Sequence, residues 1–185
     1  MHFSCISIAR DARTRYTDGE SGKREDAKVS LDAVREYLSV FGLAERIHET
    51  AVSSATVELA AQALGIEPER IAKTLSFLTK DGCLMVVAAG DARIDNGKFK
   101  RTFGEKAHML PHDLVEEMTG HPVGGVCPFA VREGVRVYLD ESLKRFDVVY
   151  PAAGNDQSGV ALHLPELEAA AGALGWVDVC KDWAE

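Results

Sequence analysis

Long apolar runs are missing from this 185-residue chain: the longest, 83–89, falls far short of the roughly 20 residues that a bilayer-spanning helix needs. A helical membrane anchor is therefore excluded, and no membrane partner is expected. An excess of basic charge is missing too. With 21 Lys and Arg against 29 Asp and Glu, the net charge is −8, which argues against coating long nucleic acid through phosphate contacts and leaves room only for a local basic site. Cysteine is sparse: Cys5, Cys83, Cys127 and Cys180 are scattered and form no CxxC pair, so zinc-knuckle and dithiol redox chemistry lose support. These thiols read as buried packing residues without disulfides. The start of the sequence carries no secretory signal, and a reducing, cytoplasmic setting is expected.

Several motifs are also absent. There is no GxxxxGK[ST] phosphate loop, and the Gly-rich segment 120–125 follows a helical stretch instead of opening a Rossmann-type βα turn, so no nucleotide cofactor is expected. HExxH does not occur. His108 and His112 have i, i+4 spacing, but Pro111 between them breaks a continuous helix face, and no metal site is expected. Ser158-Gly159 lacks the upstream glycine of a GxSxG elbow. Cys127 has His121 six positions before it, which leaves a Cys/His nucleophile as an alternative to a plain packing thiol.

What is present predicts one domain with a sizeable core, 46% of residues being hydrophobic. Residues 1–28 are rich in Arg, Asp, Ser and Gly without periodicity and read as a weakly ordered N-terminal extension; residues 29–185 read as the domain. Leu31, Val34, Leu38 and Phe41 recur at helical spacing, and an Ala- and Leu-rich run after Thr56 ends at Gly65 as a second capped helix. An extended segment at 46–49 lies between them. Segments 71–78 and 83–89, joined by Asp81-Gly82, predict a hairpin. Further strands are expected at 106–110, 135–139, 148–150 and 160–164, with helices at 111–118 and 165–174. The fold class that follows is mixed α/β (α+β): a curved, mostly antiparallel mixed sheet or partial barrel surrounded by short helices.

Three segments carry chemistry jointly. They are Ile71-Ala72-Lys73-Thr74-Leu75-Ser76-Phe77; Gly90-Asp91-Ala92-Arg93-Ile94-Asp95 with Lys98-Phe99; and Thr119-Gly120-His121-Pro122-Val123-Gly124-Gly125-Val126-Cys127-Pro128-Phe129. Weaker echoes follow at 137–143, at Ala152-Ala153-Gly154 and at Leu164-Pro165-Glu166-Leu167. In order and spacing these resemble the YbaK-type aminoacyl-tRNA editing domains, also called prolyl-tRNA-synthetase-associated domains, over about residues 30–174. Two departures stand out: Cys127 where the family often has serine, and Ala130 where glycine is common.

The resemblance implies a freestanding trans-editing deacylase, a hydrolase that cleaves the ester joining a small noncognate amino acid to tRNA, with proline tRNA as one carrier. Such a second hydrolytic selection answers a physical limit, since one methylene discriminates by only about 1–3 kcal/mol. By resemblance Lys73 would hold the ester carbonyl or a nearby phosphate. Gly124, Gly125, Val126, Cys127 and Pro128 would form a turn whose backbone N–H groups fix the aminoacyl carbonyl. Ser54, Thr56, Gly120, His121, Phe129, Asp140 and Gly154 are further candidates for contact with substrate. The reaction would be metal-independent and substrate-assisted, a ribose hydroxyl positioning water. The implied partners are the tRNA 3′ acceptor end and, secondarily, an aminoacyl-tRNA synthetase. Basic residues Arg93, Lys98, Lys100, Arg101 and Lys106 could meet the acceptor end, or simply form a solvated face. A noncatalytic module that retains the pocket is the competing function.

Overall fold

The computed structural model describes residues 31–50 and 56–183; the predicted extension 1–28 and Ser54 lie outside the described residues. The scaffold grows from one hairpin, β2 (Ile71–Thr79) and β3 (Gly82–Ala89), paired antiparallel from Ala72↔Ala89 to Thr79↔Gly82. Gly82 has φ +97°, the conformation the tight Asp81-Gly82 turn requires.

Strand β3 is central. Its other edge pairs in parallel with β5 (Arg136–Asp140), and Leu84 through Ala89 are each 0% exposed. Elements covering both faces explain its near-continuous apolar sequence, which a half-exposed strand would interrupt with polar residues. β2 continues the sheet on the other side, pairing in parallel with β6 (Val148–Pro151). The six-stranded mixed sheet is completed by β8 (Leu162–His163), antiparallel to β6, and β9 (Trp176–Val177), parallel to β5, and it curls into a half-barrel. Two short antiparallel ladders flank it: β1 (Ile47–Glu49) with β7 (Ser158–Val160), and β4 (Arg93–Ile94) with β10 (Cys180–Lys181).

Among the described residues, five α-helices surround the sheet. α1 (Leu31–Ser39) buries Val34, Tyr37 and Leu38, and the Tyr37 hydroxyl donates to the Ala170 carbonyl at 2.8 Å, tying α1 to α5 (Leu164–Ala171). α2 (Val57–Leu64) starts where the Thr56 hydroxyl accepts the Leu59 amide and stops at Gly65, φ +68°. α3 (Asn96–Phe103) is capped by the Asp95 carboxylate and buries Phe99 against Phe77, ring centres 4.8 Å apart. α4 (Val115–Thr119) ends at Gly120.

The predicted strand at 106–110 is replaced by a single bridge, Phe77↔Met109. The Leu78 amide donates to the His108 carbonyl and the Leu110 amide to the Ser76 carbonyl, after which Pro111 diverts the chain before pairing can extend. The predicted strand at 160–164 divides at Ala161 into β7 and β8. Segment 93–103 is β4 followed by α3, because Asp95 is a helix cap.

Candidate active site

The sheet opens on a cavity of ≈ 370 Å³ walled by β2, α2, the start of α4, the 123–126 loop and the 150–152 and 158–159 segments. Its volume suits a small organic ligand. Period-two alternation sends Ala72, Thr74 and Ser76 of β2 to one face, and all three line the cavity. Lys73 also lines it.

The Lys73 Nζ donates to the Gly90 carbonyl at 2.9 Å. Burial holds its ammonium below the ordinary lysine value, against the opposing pull of nearby Cys180 and Asp91. Asp91 is itself clamped by Arg145, whose two guanidinium nitrogens donate to its carboxylate at 3.0 and 2.5 Å. Arg145 in turn lies over the rings of Phe146 and Trp183. Asp91 thus has a dedicated cationic partner in Arg145, and the Lys73 ammonium has the Gly90 carbonyl as its hydrogen-bond acceptor.

The Gly/Pro loop divides its labour. Gly124 and Val126 line the cavity, and Gly124 has φ +91°. Gly125 faces away: a Cβ there would lie 2.5 Å from the Asn155 Cα and 2.7 Å from the Gly154 carbonyl oxygen, so only glycine permits the loop to sit against that segment. The Gly125 amide is already used, donating to the Pro122 carbonyl at 3.0 Å. Pro128 is buried behind the loop.

Cys127, His121 and Phe129 are each 0% exposed and form the loop's packed underside. The His121 Nε2 donates to the Phe129 carbonyl at 2.9 Å, and the Cys127 Sγ lies 3.6 Å from that ring nitrogen. Burial pushes the Cys127 thiol up to about 12 and lowers His121 to about 4, so the pair is neutral near pH 7 and the thiolate a nucleophile needs is disfavoured. Ala130, at the position where the family favours glycine, has φ +48°, in the left-handed region where glycine carries no Cβ penalty.

The buried histidine has a measurable consequence. An unfolded chain takes up a proton near pH 6.5, whereas folded His121 resists protonation until about pH 4, so stability is lost as pH falls between the two. The expected loss reaches about 3 kcal/mol, at about 1.4 kcal/mol per pH unit. Urea titrations from pH 7 to 4 would measure it, and the slope between pH 6.5 and 4.5 should flatten in His121→Gln.

Of the other predicted residues, Thr56 lines the cavity at the start of α2 while its hydroxyl caps that helix. Asp140 is 0% exposed and accepts the Ser142 and Val179 amides at 3.0 and 2.9 Å, joining β5 to the strand-bearing C-terminal segment. Gly120 caps α4, and Gly154 backs Gly125. The structure therefore gathers Lys73, Thr56, Gly124 and Val126 around one cavity, and the remaining described candidates do not line it. Lys98, from the basic segment, is occupied by Asp178 at 2.7 Å and the Cys180 carbonyl at 2.8 Å. Among the described residues no group of three His, Cys, Asp or Glu side chains is arranged to hold a metal ion. Residue-by-residue reasoning missed the apolar α2 wall and Thr74; strand alternation around Lys73 is the signal that could have found the latter.

A curled mixed half-barrel sheet surrounded by short helices is the architecture of the editing-domain structures this chain resembles. The chain belongs to the aminoacyl-tRNA editing domain family, whose pattern it matches over residues 51–170. Its relatives include the uncharacterized protein YwhH of Bacillus subtilis, 47% identical over 156 residues, 84% of this chain and 99% of YwhH. EbsC of Enterococcus faecalis, proposed as a Cys-tRNA(Pro)/Cys-tRNA(Cys) deacylase, is 32% identical over 101 residues, 54% of this chain and 62% of EbsC. Among solved structures, a protein proposed as a trans-editing enzyme for prolyl tRNA synthetase superimposes with a TM-score of 0.73 at 29% identity, covering 87% of this chain and 99% of the other.

Proposed function

We propose that this protein is an aminoacyl-tRNA deacylase acting in trans, hydrolysing the ester between a small noncognate amino acid and the terminal ribose of tRNA. The observation that carries the reading is that Lys73, whose ammonium is partly desolvated, lines a cavity of ≈ 370 Å³ together with Gly124 and Val126 of the Gly/Pro loop. Water adds to the ester carbonyl, the bond to the ribose oxygen breaks, and free amino acid and tRNA with its ribose hydroxyl restored leave. Lys73 neutralises charge on the carbonyl or the adjacent phosphate, and loop amides orient the carbonyl. No side-chain nucleophile is assigned: the reaction is metal-independent, with a ribose hydroxyl positioning the water.

Similarity along nearly the whole of the proposed trans-editing enzyme supports action in trans, and its named synthetase, with the tRNA(Pro) of EbsC, supports proline tRNA as carrier. We assign editing to residues 29–185 and regard 1–28 as a separate extension. The test is deacylation of a panel of tRNAs charged with cognate and noncognate small amino acids. Selective hydrolysis of a mischarged species, unchanged by EDTA, is expected. Tight binding of aminoacyl-tRNA without turnover on any member would instead establish a noncatalytic binding module.

A further inference from the structure

The cavity changes character at its rim. Ile71, Ala72, Leu110 and Val115 line it and are buried, as apolar wall residues should be. Met109 and Val123 line it too, yet stand 56% and 48% exposed. A residue that both borders a cavity and meets solvent lies where the cavity opens. Val40, Leu59, Leu78 and Leu174 are the other large hydrophobics exposed among the described residues, and none of them lines the cavity. A single exposed apolar side chain is ordinary; two from separate segments at the same opening are not explained that way.

Substrate chemistry determines what meets them. The ester to be cleaved joins the aminoacyl group to the terminal ribose, so an amino acid held within the cavity leaves that ribose at the opening. The base of the same nucleotide is one glycosidic bond away and comes to the rim with it. Thr56 and His112, exposed residues that also line the cavity, are polar and at home in water. Met109 and Val123 gain instead from being covered by a flat apolar face. A thioether is polarizable and packs well on aromatic rings, and every nucleic-acid base offers such a ring.

Building on the deacylase reading, we propose that Met109 and Val123 form a platform on which the base of the terminal adenosine packs, holding the tRNA end at the cavity mouth. Contact with the face of a base, and not with its edge, makes the platform tolerant of base identity. It serves every aminoacyl ester alike, setting affinity for the nucleotide and leaving the choice of amino acid to the cavity interior.

The test is a cycle between protein and substrate. Wild type and the double variant Met109→Ser, Val123→Ser are compared on a mischarged tRNA ending in adenosine and on the same tRNA whose terminal ribose lacks its base, each made by ligating a synthetic aminoacylated 3′ fragment. Wild type is expected to lose about tenfold in kcat/KM when the base is removed, mainly through KM, as for a contact remote from the reacting carbonyl. The double variant should lose about as much on the adenosine substrate and nothing further on the baseless one. Guanine in place of adenine should be accepted within about threefold. Losses that simply multiply, a wild type indifferent to the base, a loss confined to kcat, or strong rejection of guanine would overturn the proposal. Wild type inactive on the adenosine substrate with every amino acid of the panel would sink the deacylase reading itself, and this inference with it. Melting temperature provides an activity-independent check. Both positions are exposed, so the double variant should melt within about 2 °C of wild type; a drop of many degrees would mean that these side chains pack within the protein, and would also overturn the proposal.

Discussion

Lys73→Ala is expected to lower kcat/KM for deacylation by about 100- to 1000-fold, the scale on which removing one preorganised electrostatic contact to a developing oxyanion acts. The fold should tolerate the change. Lys73 is half-buried and makes a single hydrogen bond to the Gly90 carbonyl, so its loss should cost only about 1 kcal/mol of stability. Activity and stability thus separate, as a charge serving substrate requires and a structural lysine would not. A pH profile separates them further. Burial lowers the Lys73 ammonium from its ordinary value of 10.5, and the protonated form is the active one, so enzymatic rate should fall as pH rises through a value below 10.5. Aminoacyl esters also hydrolyse spontaneously in alkali, so the enzyme-dependent rate is the quantity to follow. Lys73→Arg, which stays charged, should be weakened by the change in shape but should lack that alkaline decline. Undiminished deacylation by Lys73→Ala across all responsive substrates would remove Lys73 from the mechanism.

The parts of the fold legible in the sequence were those in which one local signal dominates. The β2–β3 hairpin could be read because an apolar run of strand length met an Asp-Gly turn, and α2 because Thr56 and Gly65 bracket an Ala- and Leu-rich run. Strands β4, β9 and β10, of two residues each, carry no period of their own and exist through partners distant in the chain, such as Cys180 opposite Ile94. Segment 106–110 has strand-like composition yet finds only one bridge, since its pairing is decided by Pro111 and by the edge of β2. The site shows the same division. Motif resemblance singled out the Lys73 strand and the Gly124 loop, and both border the cavity. It could not say which loop residues face inward. Gly125, Cys127 and His121 belong to the same motif as Gly124 and Val126 but pack on its far side, where closeness to Asn155 and Phe129, a tertiary matter, fixes them.

Gly90→Ala is expected to be among the most damaging single substitutions, with a stability loss of at least about 4 kcal/mol and a fall in melting temperature of about 10 °C or more. A Cβ on Gly90 would lie 2.0 Å from the Pro68 carbonyl oxygen and 2.8 Å from Val57 Cγ1. The first of these atoms is backbone, part of the short turn that launches β2, so no rotamer change relieves the overlap; the second belongs to the cavity-lining face of α2. Relief requires β2 and the end of β3 to separate, or α2 to shift outward. Either movement disturbs Lys73, because the Gly90 carbonyl is its acceptor, and Asp91 beside it carries the Arg145 clamp. Any Gly90→Ala protein that still folds should therefore lose deacylation as well as stability, unlike Lys73→Ala. Gly125→Ala provides the comparison. Its Cβ would meet the Asn155 Cα at 2.5 Å, also backbone, but in a loop that can lift from the 154–155 segment. It should destabilise less, about 2–3 kcal/mol, while displacing Gly124 and Val126 from the cavity wall. Thermal melts of the two variants, set beside their deacylation rates, would check this order; a Gly90→Ala protein with wild-type melting and turnover would show that the close approach of Pro68 is not what shapes the Lys73 side of the cavity.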